Sequence, residues 1–182
     1  MARFYPSITD QQADLIKTAP LFFVASTGPD LSPGPDGEGA VNISPKGGVP
    51  LHIIDRNHVA FLDYKGSGNE TARHASLGGP ITVMVSTFDE NAAIVRLYGH
   101  AKVTPLDESP IADLLLGSPA EGISLPQRQA IEISVEKTMT SCGYGVPIME
   151  FVKDRTTTER GREYKDGTPP KVTQTSANAS AN

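Results

Sequence analysis

The sequence predicts a mainly β, α+β chain folded as a closed or nearly closed antiparallel barrel. Six short runs rich in β-branched and aromatic residues stand between turn-forming Gly, Pro, Asn and Asp residues, the pattern of strands joined by tight connections. Helical segments are few and short, and no internal repeat of about 20 to 50 residues breaks the chain into units. At 182 residues the length suits one compact domain with one core. Closure is expected because it removes the open strand edges that invite aggregation. A two-sheet sandwich is the alternative.

Taken in order, Ile8-Thr9-Asp10-Gln11-Gln12 reads as a helix start. Thr9 is the N-cap and Gln12, three residues on, completes a capping box. Leu15, Ile16 and Ala19 give that helix an apolar stripe, and Pro20 stops it. Leu21 to Thr27 reads as a buried strand, and residues 28–39 form a Gly/Pro/Asp loop. Further strands are expected at Ala40 to Ser44, His58 to Tyr64, Ile81 to Phe88, Ala93 to Thr104 and Ile131 to Met139. A helix is expected over Asp107 to Leu116. From Lys153 the composition turns polar, so a domain over residues 1–155 is followed by a tail over 156–182, expected to be mobile because it has nothing to bury.

Composition narrows the function classes. The formal charge of −5 offers no basic field for a polyphosphate backbone, and no local basic patch stands out, so nucleic-acid binding is not expected. Cys142 is the sole cysteine, which rules out an internal disulfide or a multi-cysteine zinc site and suits a reducing compartment. Met1 to Pro20 has neither a basic-then-apolar leader pattern nor a run long enough to span a bilayer, so the expected location is cytoplasmic. His52, His58, His74 and His100 show no metal-ligand spacing, and no metal is expected. There is no G-x-S-x-G elbow, and Cys142 has no evident histidine partner in sequence, so covalent catalysis has no support.

Three polar clusters carry chemistry. The first is Asp63-Tyr-Lys-Gly-Ser-Gly-Asn-Glu-Thr-Ala-Arg-His74, where a strand passes through two glycines into a short helix. A helix beginning near Asn69 would aim free backbone N–H groups at an anion in the Gly66-Ser67-Gly68 turn. Ser67, Asn69 and Thr71 could add donors, and Arg73 a bidentate cation if its side chain turns back. An ordinary helix cap explains the same residues. Glu70 would repel a phosphate there and is expected to point outward. The stretch matches neither nucleotide-binding glycine motif, because Thr71 stands where G-x-G-x-x-G needs its third glycine.

The second cluster is Asn42-Ile-Ser-Pro-Lys-Gly47. Pro45 lacks an N–H and so places this strand at an edge or rim, where Lys46 could meet a ligand phosphate or remain solvated. The third is Ser141-Cys-Gly-Tyr-Gly-Val-Pro147, a specified bend in which Tyr144 is either core filling or a flat stacking ring.

Together with Val95-Arg-Leu-Tyr-Gly99, these clusters resemble, over about residues 10–155, the pyridoxamine 5'-phosphate oxidase-related family of FMN-binding split barrels. The resemblance implies a six-stranded antiparallel split β-barrel with peripheral short helices, assembled as a homodimer with FMN at the subunit interface. Carried over, Lys46, Ser67, Asn69, Thr71 and Arg73 become the phosphate group, Asn42, Ser44 and Asp63 line the flavin side, and Tyr144 comes from the partner subunit. It implies an FMN-dependent oxidoreductase acting on a small molecule, with no catalytic residue or substrate assigned. The basic strand with Arg before a Leu-Lys pair and the C-terminal Arg-x-His motif of true pyridoxamine 5'-phosphate oxidases are both missing, which points away from vitamin B6 oxidation. The alternatives are a flavin-binding module without turnover, or a heme-binding split barrel using His74 or His100.

Overall fold

The computed structural model describes residues 2–35, 38–66, 68–117 and 127–156. Its elements are β1 (Arg3–Tyr5), α1 (Asp10–Thr18), β2 (Leu21–Thr27), β3 (Val41–Gly47), β4 (His52–Asp55), β5 (His58–Tyr64), α2 (Glu70–Ser76), β6 (Pro80–Ser86), β7 (Ala93–Pro105), α3 (Ala112–Leu116) and β8 (Gln127–Cys142). Among the described residues every strand joins a single antiparallel sheet in the order β3-β2-β6-β7-β8-β5-β4, with β1 also paired to β8. That excludes the two-sheet sandwich. The ends of the path, β3 and β4, are not paired with each other, so the barrel is split rather than closed.

All six expected strands are present, and β1 and β4 add to them. Three and four residues are too few for an alternating pattern to show in sequence. The long partners β7 and β8 run together over most of their length, interrupted between Tyr98 and Gly99 by a register shift. Gly99, the last residue of the Val95–Gly99 motif, has a structural reason for being glycine. A Cβ there would stand 1.9 Å from the carbonyl oxygen of Ser134, inside the neighbouring backbone.

Helix α1 starts as the sequence predicts. Gln12 N–H donates to Thr9 Oγ1 at 3.2 Å and Thr9 N–H to Gln12 Oε1 at 3.0 Å, the reciprocal pairs of a capping box. Gln12 is itself buried, and its amide also reaches Thr138 and Thr140 on β8, so the cap fastens the helix to the sheet. The helix expected over 107–116 is divided into a 3-10 turn at Leu106–Glu108 and the short α3. Pro110 is the cause: Ser109 before it is extended at φ −80°, ψ 127°, as a residue preceding proline prefers.

The main core gathers Phe22 and Val24 of β2, Val59 and Phe61 of β5, Val83 of β6, Leu97 of β7 and Ile131 and Ile133 of β8. Phe22 and Phe61 meet edge to face with ring centroids 5.3 Å apart, an arrangement worth about 0.5–1.5 kcal/mol beyond area burial. Strand β5 is buried on both faces, because Ala60 and Leu62 enter a second cluster with Val49, Leu115 and Ala130. Apart from Thr156, the tail expected over 156–182 lies outside the described residues.

Candidate functional site

The split in the barrel is where polar residues converge. On β5 the face that buries Val59 and Phe61 continues two residues later as Asp63, and on β8 the face of Ile131 and Ile133 begins as Gln129. Asp63 and Gln129 are cross-strand partners, and Gln129 Nε2 donates to Asp63 Oδ2 at 2.8 Å. From the opposite edge, Lys46 of β3 reaches over the Phe61 ring, 5.7 Å from its centroid, and donates to Asp63 Oδ1 at 3.1 Å. The split is bridged by a charged side-chain pair instead of backbone hydrogen bonds.

The register between β5 and β8 shifts at this point: Asp63 faces Gln129 but Tyr64 faces Gln127, so Arg128 is the extra residue of a β-bulge. Bulges re-aim a side chain, and here the guanidinium turns onto the Gly-Ser-Gly corner. Its Nη2 donates to the Tyr64 carbonyl at 2.6 Å and to the Gly68 carbonyl at 3.1 Å, while Nε stands 3.4 Å from Asp63 Oδ2. That last contact is an ion pair without hydrogen-bond alignment, since Nε has no hydrogen-bond partner among the described residues. Arg128 therefore holds the shape of the corner that the sequence marks as flexible.

A cavity of about 370 Å³ opens between β3, the corner and α2, lined among others by Asn42, Ser44, Lys46, Asp63, Thr71 and Arg128. Asn42 Nδ2 donates to Ser44 Oγ at 3.1 Å and to Thr71 Oγ1 at 3.2 Å, linking β3 to α2 across one wall. Asn69 is the residue before α2 but makes no side-chain cap. Its Oδ1 accepts from Gln129 at 3.0 Å instead. The cavity thus presents two cations, two carboxylates (Asp63 and Glu70) and several hydroxyl and amide groups in one place.

Of the residues singled out in sequence, Asn42, Ser44, Lys46, Asp63, Asn69 and Thr71 line this cavity. Ser67 lies outside the described residues. Arg73 does not turn back toward the start of α2: it pairs with Glu38 of the loop between β2 and β3, because its place in the last turn of the helix faces that loop. Tyr144 is 93% exposed and away from the cavity. Glu70, expected to point outward, folds over Gly68 and lines the cavity. Arg128 and Gln129 are the residues that sequence reasoning misses; the two-residue spacing of Gln129 from the apolar Ile131 and Ile133 is the signal that could have extended the strand to them.

The histidines considered as heme ligands are otherwise engaged. His74 is buried with Nδ1 3.0 Å from Ser26 Oγ, and His100 pairs on the sheet's outer surface with Glu136 at 2.8 Å. Neither meets the cavity. Among the described residues, no helix is long and apolar enough to cross a membrane.

No family model matches the chain. It is 32% identical over 162 residues to the pyridoxamine 5'-phosphate oxidase family protein ustO of Aspergillus flavus, covering 87% of this chain and 61% of that one. By this likeness the chain resembles the pyridoxamine 5'-phosphate oxidase family. It spans about three fifths of that relative's length. Among solved structures, a Lactobacillus delbrueckii protein provisionally assigned as a pyridoxamine 5'-phosphate oxidase superposes with TM-score 0.53 at 18% identity, over 74% of this chain and 94% of that one. HupZ of Group A Streptococcus gives 0.52 at 22%, over 72% and 91%. An FMN-binding protein of Syntrophomonas wolfei gives 0.51 at 13%, over 79% and 91%. At these identities the likeness speaks for the fold, and the fold of this chain is the split β-barrel.

Proposed function

We propose that this chain binds FMN in the cavity at the split and works, as a homodimer, as an FMN-dependent oxidoreductase in the cytoplasm. The observation that carries the reading is the convergence of Lys46 and Arg128 beside the Ser44 and Thr71 hydroxyls. Two cations with hydroxyl and amide donors are the donor set a phosphate monoester takes. An FMN-binding protein of the same fold and an oxidase-family relative agree with a flavin as the phosphate's owner. Lys46 and Arg128 would hold the phosphate with Ser44 and Thr71, and Asn42 and Asn69 would supply amide contacts. When bound, the flavin supplies hydride acceptance from a donor such as a reduced nicotinamide.

The apolar surface that an isoalloxazine needs is not in the cavity. It is available on the other face of edge strand β3, where Val41 and Ile43 are 61% and 66% exposed, and on the segment after β8, where Tyr144, Ile148 and Val152 are exposed. Val41 and Ile43 lie side by side on one face of β3, an exposed apolar patch of the kind that favours a partner, and a second copy would cover it.

Titrating purified protein with FMN and with riboflavin, and reading flavin fluorescence and melting temperature, tests the binding. FMN should bind more tightly than riboflavin and raise the melting temperature. No binding and no thermal gain would overturn the flavin reading. Sedimentation velocity tests the dimer, and anaerobic bleaching of the bound flavin by NADPH separates an oxidoreductase from a flavin-binding module without turnover.

A further inference from the structure

The cavity's two carboxylates are unlike in their surroundings. Asp63 has both oxygens engaged, Oδ1 by Lys46 and Oδ2 by Gln129 with Arg128 close by. Glu70 also lines the cavity, but among the described residues its carboxylate makes no hydrogen bond or ion pair. It folds so closely over Gly68 that a Cβ added to that glycine would stand 2.1 Å from Glu70 Oε2. The Gly68 carbonyl is the one that Arg128 grips. An unpartnered carboxylate therefore stands at the same corner as a cation already shared with Asp63. Counting Lys46 and Arg128 against Asp63 and Glu70, the lining is formally neutral.

We infer that Glu70 is a specificity-determining residue whose carboxylate opposes a phosphate-bearing ligand in this cavity and keeps that ligand exchangeable rather than permanently held. This rests on the proposed phosphate site, whose cations an incoming phosphate must share with Asp63 while facing Glu70. Repulsion between like charges acts on the phosphate and not on an uncharged part of the same ligand. Glu70 thus narrows the preference for FMN over its neutral counterpart, riboflavin.

The test compares the wild type with Glu70→Gln, which keeps the shape and removes the charge, and with Glu70→Ala as a second variant should the first fold poorly. Dissociation constants are measured for FMN and riboflavin, and inorganic phosphate is scored by thermal protection. Removing the charge should tighten FMN and phosphate on the order of tenfold, as one unit charge acting across a partly hydrated opening would, with riboflavin unchanged. The FMN gain should shrink as salt is raised. Unchanged or weaker FMN and phosphate binding overturns the role, and so does an equal gain for riboflavin, which would reveal a packing effect. If neither protein binds flavin, the FMN reading fails while phosphate protection still decides Glu70. Phosphate protecting neither protein overturns the inference too.

Discussion

One face of β5 passes from Val59 and Phe61, buried among aliphatic and aromatic side chains, to Asp63, held by Lys46 and Gln129 with Arg128 beside it. The two halves are separated by a single pleat, yet they are stabilised differently. Phe61 is secured by contact area and ring geometry, which work in any aliphatic setting. Asp63 is secured only by particular partners, because a carboxylate removed from water is costly unless it is paired and hydrogen-bonded. The comparison teaches that the barrel's core and its cavity are one continuous interior, with the chemistry placed where the sheet fails to close.

The largest expected effect is on the apolar half. Phe61→Ala should destabilise the chain by about 3–5 kcal/mol through lost burial and a cavity, read as a fall in the urea midpoint. On the polar half, Asp63→Ala should cost about 1–3 kcal/mol, because Lys46 and Arg128 lose the group between them. A loss for Asp63→Asn close to that of Asp63→Ala would show that the charge matters beyond the hydrogen bond to Gln129. If Asp63→Ala were as damaging as Phe61→Ala, the distinction between area-held and partner-held halves would collapse.

Next in size is the contrast between two arginines. Arg128→Ala should weaken FMN binding by about 1–3 kcal/mol, the worth of a charge-assisted bond, whereas Arg73→Ala should leave FMN affinity unchanged. Arg73 and Glu38 are each about one-third exposed, so that pair should contribute only about 0–1 kcal/mol to stability. A calorimetric titration of both variants checks this, and equal losses would return Arg73 to the phosphate group.

The smallest effect concerns pH. Burial lowers the pKa of the half-buried His52 below its ordinary value. The unfolded chain therefore binds this proton more readily than the folded one, so its contribution to stability is present above the ordinary histidine range and declines as pH falls through it. Melting temperatures between about pH 7 and 5 should decline less in His52→Gln than in the wild type.

Much of this was legible in the sequence. The six main strands, the Thr9–Gln12 capping box and the concentration of polar residues in 42–46 and 63–71 follow from alternation, cap chemistry and turn residues, all of which are local. What escaped was set by distant partners. Arg73 is aimed by Glu38, 35 residues earlier. Arg128 is aimed by a bulge whose existence depends on how β8 pairs with β5, and the polar start of β8 hides a strand that its apolar continuation reveals. Glu70 was expected to avoid the site on the ground that a carboxylate repels phosphate; the repulsion stands, but the side chain lines the cavity all the same.

Pro45 at the sheet's edge has one more consequence. Having no N–H, it can sit on β3 only where that donor would have pointed away from β2, so the outward rim of the strand lacks a rung just where a further strand would seek one. Templated growth of the sheet by strand addition, the route to fibrous polymers, is thereby discouraged at an edge whose Val41 and Ile43 would otherwise promote it. A second molecule meeting that edge would have to approach it by side chains rather than by a continuous backbone ladder.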